Sequence, residues 1–489
     1  MNTSIIRYIL GQVLKVESML MILPCIVALI YGEDDIFAYL IVIGITGLLG
    51  ILSTIKKPES NVFYLKEGCV TTALSWIVIS IFGSLPFIFT GDIPSFTDAL
   101  FETISGFTTT GSSILTNVEA LSHTNLFWRS FTHWVGGMGV LVFVLAIIPL
   151  SGGSNINIMR AESPGPSVGK IVPKIRETAR ILYLIYLGMT VVEIILLLLG
   201  GMPGFDAVTL SFGSAGTGGF GIKADSCASY SPYCQWVITI AMIMFGVNFN
   251  AYYFILLKDF KNLFNMEEVK CYFMIIFSAI AIIMINVSHL YKNIFTALRH
   301  TAFTVGSIIT TTGYATADFD KWSGFAKFVL VAIMFVGACA GSTGGGIKVS
   351  RIIMLFKGML KELNSYIHPK SVKKIKFDGK PIEHEVVRAT NAYFITFIFL
   401  FALSIFAISF EGYGATTSFT SVAATINNIG PGLSLVGPTG NFGFFSNFSK
   451  YVLMFDMLAG RLELFPLLIM FHPAIWSDLL TKVKVHKKR

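Results

Sequence analysis

Long apolar runs recur along the whole chain, at 18–31, 36–55, 69–90, 135–150, 181–201, 235–257, 271–287, 325–340, 392–410 and 451–471. Each approaches the roughly 20 residues with which a helix crosses about 30 Å of hydrocarbon. The pattern predicts an all-α integral membrane protein of about ten spans. No small-residue cleavage site follows the first run and a second comes close behind it, so the pair reads as an uncleaved helical hairpin, not a signal peptide.

Composition agrees with this. Of 489 residues, 54% are hydrophobic and 13% charged, against about 25% charged in a soluble domain. A net charge of +8 would suit a nucleic-acid binder if the chain were soluble, but the placement of the charge points elsewhere. Basic residues gather at Arg7 and Lys15, at Lys56, Lys57 and Lys66, at Arg160 to Arg180, at Lys258, Lys261 and Lys270, at Lys348 to Arg388, and at Lys482 to Arg489. These are alternate connections and both ends. The intervening connections hold few: Lys223, Lys292, Arg299, Lys321, Lys327 and Lys450. By the positive-inside rule both termini are expected in the cytoplasm, with an even number of spans between them. Contact with anionic membrane lipid is the other use of such tails, and nucleic acid is not an expected partner. Six cysteines offer no metal-ligand spacing. Cys25, Cys69, Cys271 and Cys339 lie in or beside apolar runs, while Cys227 and Cys234 share an outside loop, where a disulfide and two free thiols both stay open.

The outside connections are too apolar for plain solvent loops, and they repeat. Aligned on a glycine they read TTTGS at Thr108 to Ser112, GTGGF at Gly216 to Phe220, TTTGY at Thr310 to Tyr314 and NNIGP at Asn427 to Pro431. Asp98-Ala99 and Asp206-Ala207 both begin thirteen residues before the glycine, Phe101 and Phe303 both lie ten before it, and Ser105 and Ser307 six before it. A period of about a hundred residues emerges: apolar helix, re-entrant half-helix, glycine turn, apolar helix. Non-helical backbone at membrane depth is tolerated only where protein buries it or a water-filled cavity receives it. Four such turns therefore imply one shared aqueous axis. Glycine reaches positive φ without a Cβ clash, so neighbouring carbonyls can point inward and replace the hydration shell of an alkali cation. The half-helix before each turn aims its negative end at the axis, which favours cations.

With these loops, WVGGMGVLVF (Trp134 to Phe143), GSAGTGGFGIK (Gly213 to Lys223), GACAGSTGGGIKVSR (Gly337 to Arg351) and NNIGPG (Asn427 to Gly432), the chain from about 60 to 480 resembles the Trk/Ktr superfamily of potassium transporters, most closely its TrkH-like membrane subunits. Residues 1–55 resemble the additional hairpin that separates TrkH-like from KtrB-like members. The resemblance implies one filter glycine per repeat, carried by Gly111, Gly219, Gly313 and Gly430. The expected potassium-lining set is Thr109, Thr110, Gly111, Thr217, Gly218, Gly219, Thr311, Thr312, Gly313, Asn428, Ile429 and Gly430. Because Gly216 replaces a threonine and Asn427 and Asn428 replace two more, the filter should be asymmetric. The expected architecture is a transmembrane hairpin over 1–67 followed by pore repeats at 68–150, 177–257, 269–347 and 388–480 in pseudo-fourfold arrangement, the third containing an intramembrane glycine loop. The resemblance also implies a prokaryotic plasma (inner) membrane, a homodimer, and a cytosolic regulatory subunit of the TrkA type that binds NAD or ATP/ADP. Potassium is then cargo, and no organic cofactor is expected on this chain. The basic stretch from Lys348 to Arg388 would dock such a partner, or else serves topology and lipid contact alone.

Two features are costly in a membrane. Glycines at 337, 341, 344, 345 and 346 interrupt the second helix of repeat three, each costing about 1 kcal/mol against alanine in a helix interior. They allow either close small-residue helix packing or, as the resemblance implies, an unwound gate beneath the filter built on Gly341, Gly344, Gly345 and Gly346, with Lys348 marking the cytoplasmic return. Arg461 lies within the last apolar run, where a charge costs about 3 kcal/mol on insertion scales. It either pairs with Asp456, Glu463 or Glu193, or faces the glycine loop and tunes ion flux. His133 and Glu193 could form a proton relay but read as well as packing residues.

The alternatives are weaker. GTGGFG at Gly216 to Gly221 has no preceding strand or later acid for a dinucleotide site, and in GSTGGGIKVS at Gly341 to Ser350 an isoleucine separates glycine from lysine, unlike a phosphate loop. No H-E-x-x-H or paired intramembrane aspartate supports an enzyme, and Glu383 to Glu385 lie in a cytoplasmic loop. The rival within transport is a sodium- or proton-coupled cation symporter, which predicts inverted repeats.

Overall fold

The computed structural model describes residues 1–58, 64–139, 175–370 and 374–475. The basic residues of 160–174 and 482–489, most of the apolar window 135–150, and the ends of the first and fourth expected repeats lie outside the described residues. Among the described residues the chain is almost wholly helical, with one two-stranded antiparallel hairpin, Lys376–Phe377 with Lys380–Pro381.

At the N-terminus the apolar window 18–31 is only the far part of a longer span. Helix starts at Thr3, where the Asn2 side chain accepts from Ile5 N–H, and runs with a break at Met21 to Tyr31. Ile5, Ile9, Val13 and Val16 recur at helical spacing and are buried, so the polar residues between them do not end it. Gly32, at φ +68°, turns the chain, and Ile36–Ile55 packs back against the first helix. At the crossing a Cβ on Gly50 would lie 2.9 Å from the Gly11 carbonyl oxygen, a close approach only small residues permit.

Four times thereafter a long helix is followed by a short one, a turn and a third helix. The long helices are Leu65–Thr90, Ile175–Leu199, Glu267–Val287 and His384–Ser409. The short ones are Phe96–Phe107, Gly204–Gly216, Ile294–Ile309 and Ala415–Ile426, and the third helices begin at His123, Pro232, Gly324 and Asn447. Each third helix opens on a serine, Ser122, Ser231, Ser323 or Ser446, whose side chain accepts a backbone N–H of the first turn.

Among the described residues six helices are long and apolar enough to cross a membrane, or seven if one bent pair is counted as a span. That is fewer than the ten windows predict; the window 135–150 lies mostly outside the described residues, and the third helices of repeats two, three and four are broken. In repeat two the helix turns by 91° between Phe245 and Phe249. In repeat three it stops at Val336 and resumes at Val349, and in repeat four it stops at Arg461 and resumes at Phe465. Leu29 and Ile30 of the hairpin and Leu199, Phe277, Ile285 and Phe406 of the long helices are exposed, as a lipid-facing surface requires. Threonines and serines of the short helices are buried at the centre instead.

Candidate functional site: four glycine turns around one axis

The four glycine turns share one backbone. Thr109, Thr217, Thr311 and Asn428 have φ between +54° and +59°, and two residues on Gly111, Gly219, Gly313 and Gly430 have φ from +80° to +99°. The residue between them donates its N–H five residues back in every case: Thr110 to Ser105, Gly218 to Gly213, Thr312 to Ser307 and Ile429 to Ala424, at 2.8 to 2.9 Å. The short helices thus end in the same left-handed cap, and the chain leaves each cap with its carbonyls freed from the helix.

The turns meet in a ring. A Cβ on Gly111 would run into the Gly218 carbonyl oxygen, one on Gly219 into that of Thr312, and one on Gly313 into that of Ile429. One on Gly430 would lie 2.8 Å from the Thr110 carbonyl oxygen, which closes the circle. All four glycines line a single cavity of about 190 Å³ together with Ser112, Phe220 and Pro431. Of the expected set, the four glycines line this cavity, while Thr109, Thr110, Thr217, Thr311, Thr312, Asn428 and Ile429 are fully buried in the turns themselves. A larger cavity, about 340 Å³, lies apart among Lys357, Lys361, Lys374 and Lys376; it has no carbonyl ring.

The sequence differences between the turns have local causes. In repeats one and three the outer threonines of each triplet share a hydroxyl contact of 2.8 Å, Thr108 with Thr110 and Thr310 with Thr312. In repeat two His133 takes that space, since a Cβ on Gly218 would meet its ring and one on Gly216 its backbone carbonyl. His133 Nδ1 lies 2.7 Å from the Gly106 carbonyl oxygen and its Nε2 accepts from Phe220 N–H at 3.2 Å. The ring is a brace between turns one and two and not a relay to Glu193. In repeat four Asn428 Nδ2 donates to Thr110 Oγ1 and to the Met457 carbonyl, both at 2.9 Å.

A further brace was not legible from spacing. Glu102 accepts from Arg129 Nε at 2.6 Å, from Ser113 Oγ at 2.8 Å and from Ile114 N–H at 3.0 Å. Arg129 Nη1 donates to the Gly221 carbonyl at 2.8 Å and its guanidinium lies over the Phe220 ring. The buried pair ties together the strands leaving turns one and two.

At the opposite end of the turns from the shared cavity sits the glycine segment of repeat three. Gly337, Gly341 and Gly346 have positive φ, so the segment is unwound and does not act as a small-residue helix contact. Gly345 N–H donates to Thr311 Oγ1 at 2.6 Å, and a Cβ on Gly344 or Gly345 would crowd the carbonyl oxygen of Thr310 or Asn427. Arg461 reaches this loop. Its Nη1 donates to the Thr343 carbonyl at 2.9 Å, and its Nη2 to the carbonyls of Gly136 and Gly137 at 2.5 and 2.6 Å. Of its candidate acid partners, Glu463 pairs with Arg351 and Asp456 accepts from Ser404. Lys348 differs from expectation: it is buried and does not mark a return to solvent. Its φ of +84° folds the side chain back so that Nζ donates to the Gly344 carbonyl. Cys227 and Cys234 are buried free thiols.

A family model described as a cation transport protein, TrkH, matches residues 36–481. The Trk system potassium uptake protein TrkH of Salmonella typhimurium is 35% identical over 486 residues, covering 98% of this chain and 100% of the relative. That of Halomonas elongata is 33% identical over 482 residues, covering 97% and 100%. Among solved structures, the potassium transporter TrkH from Vibrio parahaemolyticus superimposes with a TM-score of 0.86 at 31% identity, covering 97% of this chain and 100% of that one.

Proposed function

The chain belongs to the TrkH family of cation transport proteins, and we propose that it takes up potassium through the ring of glycine turns. The observation that carries this reading is the closed circuit Gly111, Gly219, Gly313, Gly430, in which each turn abuts a carbonyl of the next. Carbonyls held at one axis by backbone, without side chains between them, replace a potassium hydration shell. The short helices add the negative ends of their dipoles to the same place. The protein is a non-enzymatic, multi-pass membrane protein.

The loop 337–348 is the gate in this reading. It is supported by the contacts of Gly344 and Gly345 with turns three and four, and by Arg461, which clamps the loop to Gly136 and Gly137 of the first repeat's third helix. The alternation of basic connections supports an inner-membrane location with both termini cytoplasmic. The repeats are assigned to 68–150, 177–257, 269–347 and 388–480 after a hairpin over 1–67. A homodimer that works with a cytosolic nucleotide-binding subunit fits the relatives named as parts of a Trk system, with the basic stretch expected at Lys348 to Arg388 as its docking face through its exposed members Lys370, Lys374, Lys376, Lys380 and Arg388, Lys348 itself being buried.

Flux measured with the purified chain in proteoliposomes tests the function. Potassium should enter down its gradient and sodium at a much lower rate. Equal permeability to both ions, or none to either with protein correctly inserted, would refute the proposal.

A further inference from the structure

One carboxylate holds both ends of the glycine loop. Glu268 stands in the first turn of Glu267–Val287 and is only 4% exposed. Its Oε1 accepts from Ala340 N–H at 2.6 Å, where the loop enters, and from Ser350 N–H at 3.0 Å, where helix resumes. Its Oε2 accepts from Asn248 Nδ2 at 3.4 Å. Asn248 lies in the break of the second repeat's third helix, and the loop leans on that break. Phe249 N–H donates to the Gly341 carbonyl at 3.0 Å, and Cys339 N–H donates to that of Gly246 at 3.1 Å. Entry, exit and support therefore converge on a single side chain.

The residue beside it is held from the far side. Glu267 N–H donates to the Asp378 carboxylate at 2.7 Å. Asp378 and Gly379 form the two-residue turn of the hairpin, at φ +51° and +75°, the geometry that an Asp-Gly pair favours. The Glu267 carboxylate pairs with Lys357, whose Nζ also donates to the Lys376 carbonyl at 2.8 Å. Lys357 lies on Val349–Ile367, the helix that continues from the loop. Most of the hairpin is exposed, so substitutions there leave the buried core untouched.

We infer that Glu268 is the positioning residue that latches the glycine loop in its blocking place, and that the Asp378 hairpin braces the helix start on which this latch stands. The inference rests on reading the loop as a gate. Moving the hairpin withdraws the cap from Glu267 and shifts the helix start that carries Glu268, and both clamped ends of the loop are then freed together.

The test is potassium flux and the potassium-to-sodium permeability ratio of full-length variants in proteoliposomes. Glu268→Ala removes both hydrogen bonds to the loop ends and should raise basal flux by at least about tenfold, the population shift that the loss of even one hydrogen bond to a charged group produces. Glu268→Gln, which keeps an acceptor oxygen for Ala340 and Ser350, should return it close to wild type. Asp378→Ala should raise flux several-fold, with Asp378→Asn near wild type. The permeability ratio should stay unchanged throughout, since general loosening of the pore would degrade it. Wild-type flux in Glu268→Ala and Asp378→Ala overturns the latch, as does a Gln variant that behaves like Ala or a fallen permeability ratio. Should Glu268→Ala prove misfolded, the surface variant Asp378→Ala and the isosteric Glu268→Gln decide alone. Deleting Gly344 to Gly346 separates the two readings. If deletion raises flux while the latch variants do not, only the latch fails; if deletion leaves flux unchanged, the gate fails and the latch with it.

Discussion

Replacing Gly313 with serine is the sharpest test of the filter. Gly313 has φ +89°, where an L-residue pays about 1–2 kcal/mol. Its added Cβ would also meet the Ile429 carbonyl oxygen and lie 2.9 Å from Pro431 Cδ. Neither neighbour is the free end of a flexible side chain, so the backbone of turn three or turn four must move. The strain is relieved by swinging a carbonyl off the axis. If that energy comes out of the preference for potassium, and 1.4 kcal/mol corresponds to a factor of ten, the permeability ratio of potassium to sodium should fall by roughly fivefold to thirtyfold. The ratio is read from reversal potentials or competitive uptake in proteoliposomes, on protein shown to be monodisperse. Gly324→Ala supplies the control, because a Cβ there meets open space. A Gly313→Ser protein that folds and keeps the wild-type ratio would show that these carbonyls do not select the ion.

Other consequences follow from the same geometry. Among the four filter glycines, alanine should be best tolerated at Gly430, where the facing carbonyl is 2.8 Å from an added Cβ and the other three clash more deeply; the order of permeability ratios checks this. Arg461→Ala should increase potassium flux, since a unit charge 4 Å from an ion is worth about 4 kcal/mol at an effective dielectric near 20; wild-type flux at normal expression would assign the arginine to structure alone. Gly218→Thr should be severely destabilising alone but relieved in His133→Ala, because the added Cβ meets the imidazole. Thermal unfolding in detergent should show a favourable coupling of about 1–3 kcal/mol between the two changes, and additive effects would refute the packing explanation.

The membrane class, the four glycine turns and the odd arginine were legible because each leaves a mark in one dimension: a run length, a repeated string, a charge in an apolar window. Gly111, Gly219, Gly313 and Gly430 could be aligned by eye, and the structure gives all four the same positive φ. What escaped depends on contacts between distant segments. Glu102 with Arg129 and Glu268 with Ala340 and Ser350 join residues 27 to 82 positions apart. No periodicity marks such pairs, and Glu268 reads as an ordinary first-turn acid. Two local signals do mark structure in the sequence. The serines at 122, 231, 323 and 446 each precede an apolar run, as helix caps do, and Asp378-Gly379 between short basic strands is a hairpin signature. Lys348 differs for another reason: in the sequence a positive charge marks topology, whereas a left-handed turn at the lysine itself sends the side chain back into the protein.

The breaks in the third helices explain why hydropathy overstated the number of continuous spans. Apolar composition says that a segment can lie in the membrane, not that its backbone is regular there. In repeats two, three and four the break falls just past the depth of the turns, at Gly246, Gly337 and Leu462. Each break leaves backbone groups outside helical pairing, and membrane depth tolerates that only where partners exist. They do exist: the Gly246 carbonyl accepts from Cys339, Gly345 N–H donates to Thr311 Oγ1, and Arg461 satisfies carbonyls of Gly136, Gly137 and Thr343. The irregular segments of different repeats thus complete one another. A gate assembled in this way changes state by exchanging one set of polar partners for another, so single donors and acceptors at its edges, Arg461 and Glu268 first among them, should control flux more strongly than the apolar residues that surround them.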